Sequence, residues 1–120
     1  MQRDVEVQPA GGTWVWQALS GLALLVLVGL HMIANHLTAP GGLRGYQEVL
    51  AYMKSPVIVA LELLLLGFGT YHGLLGLRVV ITDLGLSRRQ EVALNAFLTL
   101  VGVVMVGWGA YLTWYLVVVA

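Results

Sequence analysis

Three long stretches of this chain carry almost no charge, and that pattern restricts the fold more than any other feature. Val15 to Leu37 contains no Asp, Glu, Lys or Arg, Val57 to Leu77 contains only Glu62, and Val92 to Ala120 contains none. Each is about twenty residues or longer, the length of an α-helix that crosses the hydrocarbon core of a bilayer. With 59% hydrophobic and 10% charged residues, the chain is far more apolar than a soluble domain. The expected fold is an all-α membrane protein with three transmembrane helices, at about 13–37, 56–83 and 92–118. They form one membrane domain over 13–120, preceded by a polar tail over 1–12. The tail lacks the basic-then-apolar order of a cleaved signal peptide and is expected to stay on the mature protein.

The same composition excludes several functions. There is no cysteine, so this chain forms no disulfide and supplies no thiolate to zinc or to an iron–sulfur cluster. Net charge is zero and no basic block suits nucleic acid. The basic residues set an orientation. Arg3, Arg78, Arg88 and Arg89 fall on the side of the amino terminus and second loop, against Arg44 and Lys54 in the first loop. The excess places the amino terminus and second loop in the cytoplasm. In the first loop, Pro40, Gly41 and Gly42 break helix one. Leu43, Tyr46, Leu50 and Met53 then recur at helical spacing, as in a short helix lying in the membrane interface.

Each span has a distinct face. At roughly 100° per residue, Gln17, Ser20, Leu24, Leu27, His31 and Asn35 of helix one share an arc of roughly 80°. His36 lies off that strip, near the membrane edge, and reads as interfacial. In helix two, Glu62, Leu65, Gly69, Gly76 and Asp83 share the side of His72. Asn95, Thr99, Gly102, Gly109 and Thr113 form a narrow face on helix three, which has no histidine and reads as a packing helix. Polar residues in a membrane helix face protein, water or a cofactor. Glu62 must be protonated, paired or hydrated at such depth. It serves proton transfer, quinone contact or packing.

The stretch GFGTYHGLLGLRVVITD, Gly67 to Asp83, carries the most specific pattern. Glycines around His72 strip the helix surface, so that a bulky group can press on its backbone. A haem with His72 on its iron fits this, whereas nothing resembles a tetrahedral zinc cluster. Histidines used only for hydrogen bonding are the alternative. His31 and Glu62 lie at similar depth near the far ends of their helices. His72 stands ten residues from Glu62, about 15 Å away at 1.5 Å per residue. The two imidazoles are too far apart to share one iron, so each needs a partner from another chain.

His72-Gly-Leu-Leu-Gly-Leu-Arg78-Val-Val-Ile-Thr-Asp83 resembles the second-helix motif of the membrane anchor subunits of succinate dehydrogenase (complex II), where that histidine ligates haem b. The segment Trp14-Val-Trp-Gln17-Ala-Leu-Ser20-Gly21 with the later His31 is similar to a haem-binding helix of diheme fumarate reductase cytochrome b. The resemblance implies one or two haems b shared with a companion anchor subunit, with His72 and His31 as axial ligands and Gly69, Gly76 and Arg78 as haem packing or propionate contacts. It also implies an iron–sulfur subunit and a flavoprotein subunit docked on the cytoplasmic face of a bacterial or archaeal inner membrane. Electrons would pass to membrane quinone as substrate; Gln17, Ser20, Arg78 and Asp83, which lie on or next to the polar faces at the inner boundary, are candidate quinone contacts by position. The succinate chemistry lies outside this chain. Three family features differ here: Leu84 replaces a tyrosine after the aspartate, Ala18 an arginine, and Thr70 a glutamate before the histidine. The rival expectations are a haem-free structural anchor and a small proton or solute carrier subunit using Glu62.

Overall fold

The computed structural model describes residues 11–120. The amino-terminal tail lies outside the described residues, except for its last two glycines. Four helices follow in order: α1 (Gly12–Met32), α2 (Tyr46–Tyr52), α3 (Pro56–Thr82) and α4 (Arg88–Val118). α1, α3 and α4 are long and apolar enough to cross a membrane. No strand occurs among the described residues.

α3 begins with Pro56 in its first turn, where the missing N–H costs nothing. α4 starts four residues before the expected Val92. Arg88, Arg89 and Glu91 look like loop residues by charge, yet Ser87 and Gln90 close a reciprocal cap that holds them in a first turn. Ser87 N–H donates to Gln90 Oε1 at 2.9 Å, and Gln90 N–H donates to Ser87 Oγ at 3.4 Å. Ser87→Ala is expected to cost about 0.5–2 kcal/mol. Hydrogen exchange should then show fraying confined to the first turn of α4.

α1 does not run straight into the loop. Its last turn, Ile33–Leu37, is a π-turn in which Thr38 N–H reaches back to Ile33 O at 3.2 Å. The freed Ala34 carbonyl accepts from Thr38 Oγ1 at 2.7 Å and from an Arg44 guanidinium N–H at 2.9 Å. π-turns commonly mark functional stretches of helix. Gly41 and Gly42 both have positive φ, which the chain needs to reverse immediately after Pro40. α2 is shorter than the amphipathic pattern suggested: Leu43 precedes it, exposed, and Met53 follows it, buried.

The three long helices form a row with α3 in the middle, and α1 and α4 scarcely touch. Both contacts are antiparallel. Along α1 and α3, Gln17 meets Gly76, Gly21 meets His72, Leu24 meets Gly69 and His31 meets Glu62. Along α3 and α4, Leu66 seats on Gly109, Leu74 on Gly102, and Arg78 meets Asn95. The faces of α1 and α4, and the α1 side of α3, are those that helical periodicity marked out; the side of α3 that meets α4, with Leu66, Leu74 and Arg78, is not. Small residues opposite larger ones let membrane helices approach closely, since apolar burial supplies little drive in lipid. Among the described residues only Ser20, Ala39, Met53, Thr70 and Leu98 are buried. Large apolar side chains cover the rest of the surface.

Candidate functional site

His72 sits on the α1 side of α3. Its Nδ1 lies 3.0 Å from Ser20 Oγ, and Ser20 is nearly sealed, at 3% exposure. The ring rests on Gly21: a Cβ there would stand 3.0 Å from the imidazole Cε1. One turn earlier, the Gln17 side-chain amide donates to the His72 carbonyl at 3.4 Å. Ser20 Oγ also has Gln17 O within 3.0 Å. A hydroxyl has one hydrogen, so if it is given to the Gln17 carbonyl, the oxygen lone pairs face the ring and His72 Nδ1–H donates to them. His72 Nε2 has no partner among the described residues and is not sealed from the surface.

The second histidine is clamped by a carboxylate. His31 Nδ1 lies 2.9 Å and 3.1 Å from the two Glu62 oxygens, with the side chains 32% and 21% exposed. Glu62, the single acid deep in a span, is therefore paired, and the similar depth of His31 and Glu62 holds. Asn35 lies one turn beyond, donating its amide to His31 O at 3.0 Å and to Tyr52 OH at 3.2 Å. Tyr52 is stacked under Arg44, 4.4 Å from the guanidinium carbon to the ring centre. Burial and the Glu62 carboxylate push the Tyr52 phenol up, against the opposing pull of Arg44 and Asn35. It stays protonated at neutral pH. His31 Nε2, like His72 Nε2, has no partner among the described residues. The rise from Glu62 to His72 separates the two imidazoles by roughly 15 Å along the helices.

The remaining candidates divide. Gln17 and Ser20 join His72, and the Gln17 side-chain oxygen is buried without a partner. Asp83 caps the end of α3 and is exposed. Gly69 faces α1, with Leu24 3.9 Å from a Cβ there. Gly76 has Gln17 3.1 Å from a Cβ and, with Thr13, Trp14, Gln17 and Val79, borders a cleft of about 400 Å³ at that end of the α1–α3 contact. Gly73, where a Cβ would meet nothing within 4 Å, is the open glycine beside His72. Arg78 turns away from His72, since six residues carry it about 120° around the helix. Its Nε donates to Asn95 Oδ1 on α4 at 2.6 Å. His36 is tied to the loop, its Nδ1 2.9 Å from Gly42 O. Among the described residues, no three His, Asp or Glu side chains gather at one point.

The π-turn, the Arg44–Tyr52 stack and the Arg78–Asn95 bond were beyond sequence reasoning. Only the last left a partial signal, since Asn95 lies on the narrow face of α4.

A row of three apolar helices, with its polar side chains turned into the helix contacts, defines a small multi-pass membrane subunit. The chain belongs to the succinate dehydrogenase/fumarate reductase transmembrane subunit family, whose pattern it matches over residues 5–119. It is 33% identical to the succinate dehydrogenase hydrophobic membrane anchor subunit of Archaeoglobus fulgidus, over 82% of this chain and 84% of that one. It is 26% identical to the subunit of the same description from Thermoplasma acidophilum, over 80% and 78%. No solved structure matches it. Membership makes it a membrane anchor that works beside catalytic subunits.

Proposed function

We propose that this chain is a haem b-binding anchor of a succinate dehydrogenase in the cytoplasmic membrane. With a companion anchor subunit it holds the iron–sulfur and flavoprotein subunits on the cytoplasmic face, and the assembly delivers their electrons to membrane quinone. The observation that carries this is the pose of His72. Metal-ligating histidines commonly give one ring nitrogen to a neighbouring acceptor, which fixes the tautomer and leaves the other nitrogen for the metal. Ser20 takes Nδ1 and Nε2 is free. His31 repeats the pattern with Glu62 as acceptor.

The residues fit the axial-ligand role, and on this reading the porphyrin would lie at an edge of the α1–α3 contact, beside the open Gly73 and toward a second chain. Bound there, haem b supplies a one-electron redox centre. The chain's own part is positional. Ser20 orients the His72 ring, Gly21 leaves room for it, and Glu62 with Asn35 fixes His31. Gln17 and Ser20 remain the quinone contacts to test, with Asp83 at the same boundary.

A haem-free anchor is favoured by one fact: the polar strips of α1 and α3 already bond to each other, at Gln17 and His72, Ser20 and His72, and His31 and Glu62. Purifying the intact complex, reducing it with dithionite and counting haem per flavin separates the two. A b-type α-band with one or two haems per flavin supports the proposal; its absence overturns it. Ser20→Ala, which deprives Nδ1 of its acceptor, is expected to weaken haem retention about 10–100-fold, as followed by haem loss on dilution.

A further inference from the structure

A cleft of about 490 Å³ runs between α3 and α4, on the side of α3 turned away from His72. That volume lies in the range of ligand sites. Its walls are Gly67, Leu74, Leu75, Leu98, Gly102 and Val106, and Thr99, which also borders it, spends its hydroxyl on the Asn95 carbonyl at 2.8 Å. Apart from Thr70 and Tyr71, which also line it, the long wall is apolar. Arg78 and Asn95 close one end.

Arg78 is the unusual group. The only hydrogen-bond partner of its guanidinium among the described residues is the neutral amide of Asn95, and no carboxylate there comes within ion-pair distance. Asp83 and Glu91 share this end of the helices without reaching it. α3 has 27 residues, about 40 Å against a hydrocarbon core of about 30 Å, so each end overhangs by roughly 5 Å. Arg78 lies four residues inside Thr82, roughly 6 Å from the end and thus at the hydrocarbon edge, where lipid phosphates begin. With no anion beside it among the described residues, a guanidinium at that depth is undercompensated.

We propose that this cleft holds one chain of an anionic phospholipid, whose phosphate pairs with the free N–H groups of Arg78. The guanidinium fork suits phosphate oxygens, and the apolar walls suit a hydrocarbon chain, which has no polar backbone to satisfy. Exposed Arg88 and Arg89 at the start of α4 add positive potential on the headgroup side.

The intact complex, delipidated in detergent, is titrated with dioleoylphosphatidylglycerol or dioleoylphosphatidylcholine, and bound lipid is counted by native mass spectrometry. The complex is expected to retain one phosphatidylglycerol per copy of this chain, preferred about fivefold over phosphatidylcholine. Arg78→Gln, which can still donate to Asn95, should bring the preference for that lipid close to one, and Arg78→Lys should keep most of it. Val103→Trp, at an exposed position lining the cleft, should lower retention of both lipids. Three results would overturn the proposal. The first is a preference unchanged in Arg78→Gln, as for an uncharged isoprenoid occupant. The second is retention unchanged in Val103→Trp. The third is no retained lipid together with loss of a membrane partner in Val103→Trp, as for a partner helix seated in the cleft.

Discussion

Replacing His72 with alanine is expected to abolish or shift the b-type α-band of the dithionite-reduced complex while the three helices still insert. The side chain is only partly buried and packs on a glycine, so its removal leaves little void. Its loss takes away the free Nε2 and leaves Ser20 without its ring partner. His31→Ala is the companion experiment, which tests whether the chain also helps to hold a second haem at the other level of the membrane. If His72→Ala and His31→Ala complexes both keep the haem content of the parent, neither imidazole is a ligand and the proposed role fails.

The second large effect comes from the opposite side of the same contact. Gly21→Leu would drive a branched side chain into the His72 ring, where even a Cβ stands at 3.0 Å. Overpacking of this kind costs about 1–3 kcal/mol, seen as a lower thermal midpoint of the purified complex, and the displaced ring should lose its Ser20 contact and the α-band with it. Gly29→Leu is the control. A Cβ at Gly29 meets nothing within 4 Å, so there the gain in helix propensity, about 1 kcal/mol at most, is unopposed within this chain. Equal behaviour of the two variants would mean that α1 and α3 do not meet at Gly21.

Much of this arrangement was readable from residue spacing. The charge-free runs located the three spans, and the 3.6-residue period put Gln17, Ser20 and His31 on one strip and Gly69, His72 and Glu62 on another. Which strip meets which was the open question, and it turned on partners rather than on period. The glycines near His72 read as a groove for a bulky group. The structure lays α1 over part of that groove, at Gly69, because the polar strip of α1 finds its own hydrogen-bond partners there, and it leaves Gly73 open. Arg78 was drawn toward the haem by its place in a motif, although its helical phase already pointed it elsewhere. The early start of α4 was hidden because charge counted for more than the Ser87–Gln90 cap. The π-turn at Ile33–Leu37 has no signature in residue type, since it arises from backbone bonding that Arg44 and Thr38 complete from outside the turn.

A subunit arranged as a single row of helices owes little of its persistence to its own interior. With so few side chains sealed within the chain, its native state is held largely by what lies against it, and mass action ties its lifetime to the supply of those neighbours. Copies synthesised in excess would be left to the quality-control proteases of the membrane. The abundance of this polypeptide should therefore track its scarcest assembly partner rather than its own rate of translation.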